Sequence, residues 1–111
     1  FTITRNRITN EQSPVHMQPG DHRIFNHPNK ISPADFEGWV QERSVYHAGE
    51  VDPAYTQWLT MNDPGEKPLS GALIVAHHGS GKFIYTGLSF FRQLPAGVPG
   101  AFRLLANLLA R

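Results

Sequence analysis

From Gly79 onwards the chain changes its hydrophobic period, and that change restricts the fold more than any other feature. Gly79-Ser80-Gly81 is a turn sequence, since glycine adopts tight-turn backbone geometry at little steric cost. Ahead of it, Ala72 to Ala76 is a continuous apolar run of strand length, the pattern of a strand covered on both faces. Behind it, Lys82 to Leu88 runs back, so the spacing predicts a hairpin. A Pro/Gly loop follows, and from Pro99 the apolar residues recur at helical spacing. Pro99 suits the entry of that helix. Phe102, Leu105, Leu108 and Leu109 are expected on its buried face, with Arg103 and Asn107 turned away. A hairpin feeding an amphipathic helix predicts an α/β fold, with both hairpin strands central and the helix packed on the sheet.

The upstream elements are shorter. Phe1 to Ile8 alternates apolar and polar residues, and Val15 to Met17 is a second strand candidate. Pro19-Gly20-Asp21 and Asn26 to Asn29 are turns. Ser32-Pro33-Ala34-Asp35 is a helix start: Ser32 caps, Pro33 takes the first position and Asp35 reaches back. That helix is expected to end near Gly38 or Trp39. Val40 to Tyr46 and Tyr55 to Met61 read as extended segments, the latter rich in aromatic and β-branched types. Asn62-Asp63-Pro64-Gly65 is a turn, in which Asp63 is expected to bond its own downstream backbone.

At 111 residues the chain makes one domain, or a piece of one. Ten basic residues stand against nine acidic ones. With no basic face, the electrostatic footprint of a nucleic-acid binder is missing. The lack of cysteine removes thiol nucleophiles, disulfides and thiolate metal sites together. No apolar run approaches the ~20 residues that cross a bilayer, and no basic-then-apolar export signal opens the sequence. A chain that starts at Phe1 is expected to be trimmed from a longer one.

Few side chains suggest chemistry. A carboxylate at a strand end beside an aromatic suits general acid or base work, which singles out Asp21-His22 and Glu42. The alternative for Glu42 is an ion pair with Arg43 or Arg23, or a bond to a backbone amide. Arg92 lies in the loop after a strand, where open α/β sheets gather ligands; it would hold a carboxylate or sugar hydroxyl there, or lock its loop through carbonyls. Trp39, Trp58 and Tyr46 offer flat rings suited to carbohydrate faces, or else belong to the core. His77-His78 point to opposite faces of a strand and cannot share one metal. His16, His22, His27 and His47 show no helical ligand register, so neither a metal nor a cofactor is expected. Gly79-Ser80-Gly81-Lys82 lacks the spacing of a phosphate loop.

Three longer strings carry a resemblance: Phe36-Glu37-Gly38-Trp39-Val40-Gln41-Glu42-Arg43, Met61-Asn62-Asp63-Pro64-Gly65-Glu66, and Phe90-Phe91-Arg92-Gln93-Leu94-Pro95-Ala96-Gly97-Val98-Pro99-Gly100. They resemble the C-terminal region of large bacterial proteins whose N-terminal domain is a PIG-L (LmbE-like) deacetylase. The resemblance implies a class I glutamine amidotransferase-like, flavodoxin-type sandwich, of which this chain would be the C-terminal half. More distantly, Asp21 to Ile24, Glu42 to Tyr46 and Gly81 to Thr86 resemble ThuA-like domains. The deacetylase His-Pro-Asp-Asp motif and the amidotransferase cysteine are both absent, and Leu88-Ser89-Phe90-Phe91 stands where ThuA-like proteins carry Gly-His. The implied function is a non-catalytic accessory module that binds carbohydrate or a partner, or serves assembly with the rest of a larger chain or a second copy. The alternatives are a ThuA-like enzyme acting on a sugar derivative through Glu42, His22 and Arg92, or a purely structural interaction domain. The family context implies an exported protein.

Overall fold

The computed structural model describes residues 1–110. The chain runs through β1 (Thr2–Ile3), β2 (Val15–Met17), 3-10 turns at Arg23–Phe25 and Pro33–Phe36, β3 (Ala48–Gly49), β4 (Thr56–Gln57), β5 (Leu59–Met61), β6 (Leu73–His78), β7 (Gly81–Thr86), α1 (Phe90–Gln93) and α2 (Pro99–Leu109). The strands form a three-stranded sheet ordered β4-β6-β7 and two two-stranded ladders, β1-β3 and β2-β5. Every one of these pairings is antiparallel. This is a mixed α/β domain with a Cα radius of gyration of 13.2 Å, close to the ~13 Å expected of a chain this long packed around one core.

The hairpin forms as expected, with Gly79 taking a left-handed φ of 58° in its turn. Only β6 is central, however. Leu73, Ile74 and Val75 are all buried, whereas β7 is partly exposed along its length and has no strand on its outer side among the described residues. The polar residues Lys82, Tyr85 and Thr86 within β7 are the reason: an edge strand keeps one side wet, and a two-sided one must be apolar throughout.

Two other expectations need correction. The segment Tyr55 to Met61 is not one strand but two, divided at Trp58. β4 pairs with β6 while β5 pairs with β2, and the Trp58 backbone joins both ladders through its N–H to Leu73 O and its carbonyl from Gln18 N, each 3.0 Å. Val40 to Tyr46 is a loop, with Gln41 and Tyr46 at left-handed φ of 65° and 51°. Its middle still bridges Ile8 and Leu88 through Ser44, with Arg43 N bonded to Ile8 O and Val45 N to Gly87 O, and side chains hold the backbone around Val40 and Glu42. Gln93, fully buried, receives the Val40 N–H and donates to the Val40 and Glu42 carbonyls. Ser89 Oγ donates to the carbonyls of Glu42 and Arg43.

The α2 helix is present, but rotated from the expected face. Gly100, Ala101, Leu104, Asn107 and Leu108 are buried, while Phe102 is 50 % and Leu109 77 % exposed. The glycine and alanine decide the rotation, because they let the helix backbone close on the Pro33–Phe36 turn; a Cβ at Gly100 would stand 1.8 Å from Asp35 O. Burying Leu104 and Leu108 contributes about 2 kcal/mol each. Asn107 follows its neighbours inward because three backbone groups are waiting for it. Its amide donates to the carbonyls of Ile24 and Asn29 at 3.0 and 2.7 Å and accepts from the Asn29 N–H at 2.9 Å.

The Ser32 start is correct in kind. The Ser32 N–H donates to Asp35 Oδ2 at 2.9 Å, but the turn is 3-10 and ends at Phe36 because Glu37 is extended and Gly38 left-handed. Asp63 acts at long range instead of on its own turn. Its carboxylate accepts from the N–H and hydroxyl of Thr9, the Asn10 N–H and the Ser13 hydroxyl, all at 2.9 Å. Partial burial would raise its pKa, yet these hydrogen bonds prevail and lower it. The stabilisation is therefore present above the unfolded value of ~3.9 and is lost as pH falls through the lower folded value. Asp63→Ala is expected to cost about 1–2 kcal/mol at pH 7, solvent having weakened bonds at this half-buried site. Urea denaturation measures it, and an unchanged midpoint would remove this tie from the account. No helix among the described residues is long and apolar enough to cross a membrane.

Candidate functional site

A cleft of about 720 Å³ lies on one face of the three-stranded sheet. Strand alternation explains its lining. Val75 is registered opposite Ile84, and His77 opposite Lys82, so these four side chains share a face and all line the cleft. Phe83 and Tyr85 necessarily take the other face. Opposite the sheet stand His22, Arg23, Ile24 and His27, with the end of α2 between. Ile24, Val75 and Leu108 are buried and give the cleft an apolar floor, while Arg23, His27 and His77 are exposed at its rim.

Trp58 forms one wall, placed there by the break between β4 and β5. The His22 ring meets it edge-on with centroids 4.6 Å apart, and Phe25 does the same at 5.6 Å. The indole Nε1–H is buried and has no hydrogen-bond partner among the described residues. An orphaned buried donor costs free energy, and this one belongs to a residue that lines a cleft. His22 Nε2 lies 2.7 Å from Pro19 O. A carbonyl only accepts, so this nitrogen carries the proton and Nδ1 is the free ring position.

The acid–base set suggested by the sequence does not assemble. Glu42 and Arg92 do come together, Nε to Oε1 at 3.0 Å, with the Arg92 guanidinium also 5.0 Å from the Phe91 ring centroid. Neither lines the cleft that contains His22. Arg92 lies in α1 and not in a loop, and it is the Gln93 side chain that holds the Val40–Glu42 segment. Trp39 is 3 % exposed, packed against Phe36 and Phe90, and donates from Nε1 to Asp35 O at 2.9 Å. Its ring faces are core contacts and are closed to a sugar. Tyr46 is exposed, but lines neither this cleft nor a smaller one of about 400 Å³ beside Glu11 and Arg43.

A Ser–His pair is present that the sequence did not single out. Ser44 Oγ and His47 Nε2 are 2.6 Å apart, but both residues are at most 1 % exposed and neither lines a cleft. No substrate reaches such a hydroxyl, so the pair is structural. Three of the imidazoles line the large cleft, yet among the described residues no three His, Asp or Glu side chains converge on a metal position.

Sequence reasoning reached Trp58 as an aromatic and His22 as a polar candidate, but not Lys82, Arg23 or His27 as their neighbours. The alternation of Lys82 and Ile84 against Phe83 and Tyr85 was the available signal. Grouping the rest required the loop from Pro19 to Asn29 to fold back over the sheet, which Asn107 secures from 78 residues away. Compared with known protein families, curated proteins and solved structures, the chain gives no match.

Proposed function

We propose that this domain is a non-catalytic accessory module of a PIG-L-type deacetylase protein and that it binds carbohydrate in the Trp58 cleft. The observation that carries the reading is the Trp58 indole wall over an apolar floor of Ile24, Val75 and Leu108. A flat apolar ring beside scattered polar groups is what a sugar face, one side C–H and the other hydroxyl, requires. The non-catalytic half of the proposal is supported by the Glu42–Arg92 pairing away from His22. The flavodoxin-like sandwich belongs to the same proposal. Its parallel strands would have to come from the rest of a larger chain, since every ladder described here is antiparallel.

Titration with a panel of oligosaccharides, followed by Trp58 emission and backbone amide shifts, tests it. A binding sugar is expected to move the amides of Trp58, His77 and Ile84, and Trp58→Ala is expected to weaken it by about tenfold through lost stacking. A panel in which no sugar moves these amides would sink the proposal.

A second reading, an interaction domain, is favoured by one observation. Phe1, Tyr55, Phe83 and Tyr85 cluster on the opposite face of the sheet, with Phe1 5.0 Å from Tyr85 and 5.4 Å from Tyr55 between centroids, and Phe83 is 52 % exposed. Exposed apolar patches of this kind mark contact surfaces. Light scattering of the wild type against Phe83→Ser separates the two readings: a mass that falls with the substitution assigns this face to assembly.

A further inference from the structure

We infer that the domain pairs with a second copy of itself along strand β7, edge to edge, about a twofold axis at Ile84. This stands apart from the carbohydrate reading and rests on the interaction reading, for which it names the partner. The starting point is where the hydrogen-bonding groups of the sheet are aimed. The Trp58 N–H takes Leu73 O, so Leu73 and, by alternation, Val75 direct their backbone groups at β4. Ile74, Ala76 and His78 therefore direct theirs at β7, where their partners are Tyr85, Phe83 and Gly81. That leaves the N–H and C=O groups of Lys82, Ile84 and Thr86 aimed away from the sheet. None of them bonds another backbone group among the described residues.

Edge strands in natural sheets are shielded by bulges, prolines, charged side chains or short length. β7 has 6 residues and pairs with β6 without a bulge. It contains no proline, and its one charged side chain, Lys82, is held by its bond to Ala110 O at 2.7 Å. The edge is also complementary to itself. Antiparallel pairing about Ile84 sets Lys82 opposite Thr86 of the second copy, so the two ammonium groups do not face each other. Phe83 then meets Tyr85 of the second copy in a non-hydrogen-bonded pair, the closer kind, and aromatic cross-strand pairs stabilise sheets. Phe83 is exposed, and Tyr85 is steadied by its hydroxyl, which donates to Tyr46 O at 2.6 Å. The cluster of Phe1, Tyr55, Phe83 and Tyr85 would run across the axis into its own copy, covering apolar surface that a single domain leaves wet. The axis stands perpendicular to the sheet. Both aromatic clusters therefore lie on one face of the joined sheet and both Trp58 clefts on the other.

Light scattering over a concentration series, joined to cysteine cross-linking, tests the pairing. The expected result is a mass approaching twice 12.4 kDa as concentration rises towards about 1 mM. Phe83→Lys is expected to weaken association roughly tenfold. The chain has no cysteine of its own, so the register can be read by mixing a Phe83→Cys copy with a Tyr85→Cys copy under mild oxidation. Residues directly opposite in such a pair have Cα atoms about 4.5 Å apart, within disulfide reach. Two copies of position 83 lie on the diagonal, roughly 7–8 Å apart and beyond that reach. The mixed disulfide dimer is therefore expected at several times the yield of either homodimer. Equal yields from all combinations would overturn the β7 pairing while leaving the interaction reading intact. A wild type that stays monomeric across the series would overturn both, as would a dimer whose mass ignores Phe83→Lys.

Discussion

Gly100→Ala is expected to destabilise the domain by about 3 kcal/mol or more, although alanine is the better helix former by about 1 kcal/mol. The residue sits in the first turn of α2, where an added methyl normally stabilises by restricting the unfolded chain. Here the ideal Cβ would lie 1.8 Å from Asp35 O and 2.4 Å from Asp35 C. Both are backbone atoms, so no side chain can rotate to relieve the overlap. Relief requires α2 to lift away from the Pro33–Phe36 turn, which disturbs the Arg103–Asp35 ion pair of 2.8 Å and thins the packing over Leu104. Calorimetry or urea denaturation gives the answer. A variant as stable as the wild type would mean that helix and turn are not in contact at this point.

The stability of the domain is expected to fall by about 3 kcal/mol between pH 6.5 and pH 4 on account of His47 alone. Burial in an environment that excludes water lowers its pKa from 6.5 to about 4. The imidazole is held there from several sides. Its backbone N–H donates to Asn6 O, its carbonyl accepts from Thr4 N and Thr4 Oγ1, and its Nε2 faces Ser44 Oγ. Above pH 6.5 both folded and unfolded chains carry it neutral, and its contribution does not vary. As pH falls from there, the unfolded chain binds a proton that the folded one refuses, so stability declines. The decline stops near pH 4, where the folded state is protonated too. His47→Gln removes the titration. The variant is expected to be less stable at pH 8, yet to lose about 3 kcal/mol less than the wild type across that window. Parallel pH profiles for the two proteins would show that the His47 ring is solvated in the folded state.

Local rules carried far in this sequence where local forces decide. The Gly79–Gly81 turn, the Ser32–Asp35 start and the strand at Val15–Met17 are each specified by neighbours a few residues apart. The failures share a different cause. Asn107 was assigned to the wet face of α2 by its polarity, and the hydrophobic residues Phe102 and Leu109 to the dry one. Periodicity ranks residues by oiliness, but here close backbone approach at Gly100 and Ala101 fixed the rotation, and a polar amide paired with three backbone groups is no burden inside. Asp63 likewise bonds residues 50 or more positions away, beyond any local signal. Of the candidate site, the pairing of Glu42 with Arg92 was not legible: an ion pair for Glu42 was expected with Arg43 or Arg23 instead. Whether a carboxylate meets a histidine or an arginine depends on the course of the Val40–Tyr46 loop, and Gln93 sets that course.

The division of Tyr55–Met61 at Trp58 has a bearing on how this chain can change length. One residue serves as the last tooth of two racks: its N–H keys the β4-β6-β7 sheet and its carbonyl keys the β2 side. Because side chains alternate every residue, a single insertion or deletion between Gln57 and Leu59 would slip one rack against the other and turn Leu59 and Met61, both fully buried, towards water. The turn from Asn62 to Lys67 bears no such double duty beyond the anchored Asp63, and length variation at Pro64 to Lys67 is tolerable in proportion. The position that shapes the cleft is thus also the one where the chain's length is least free to drift.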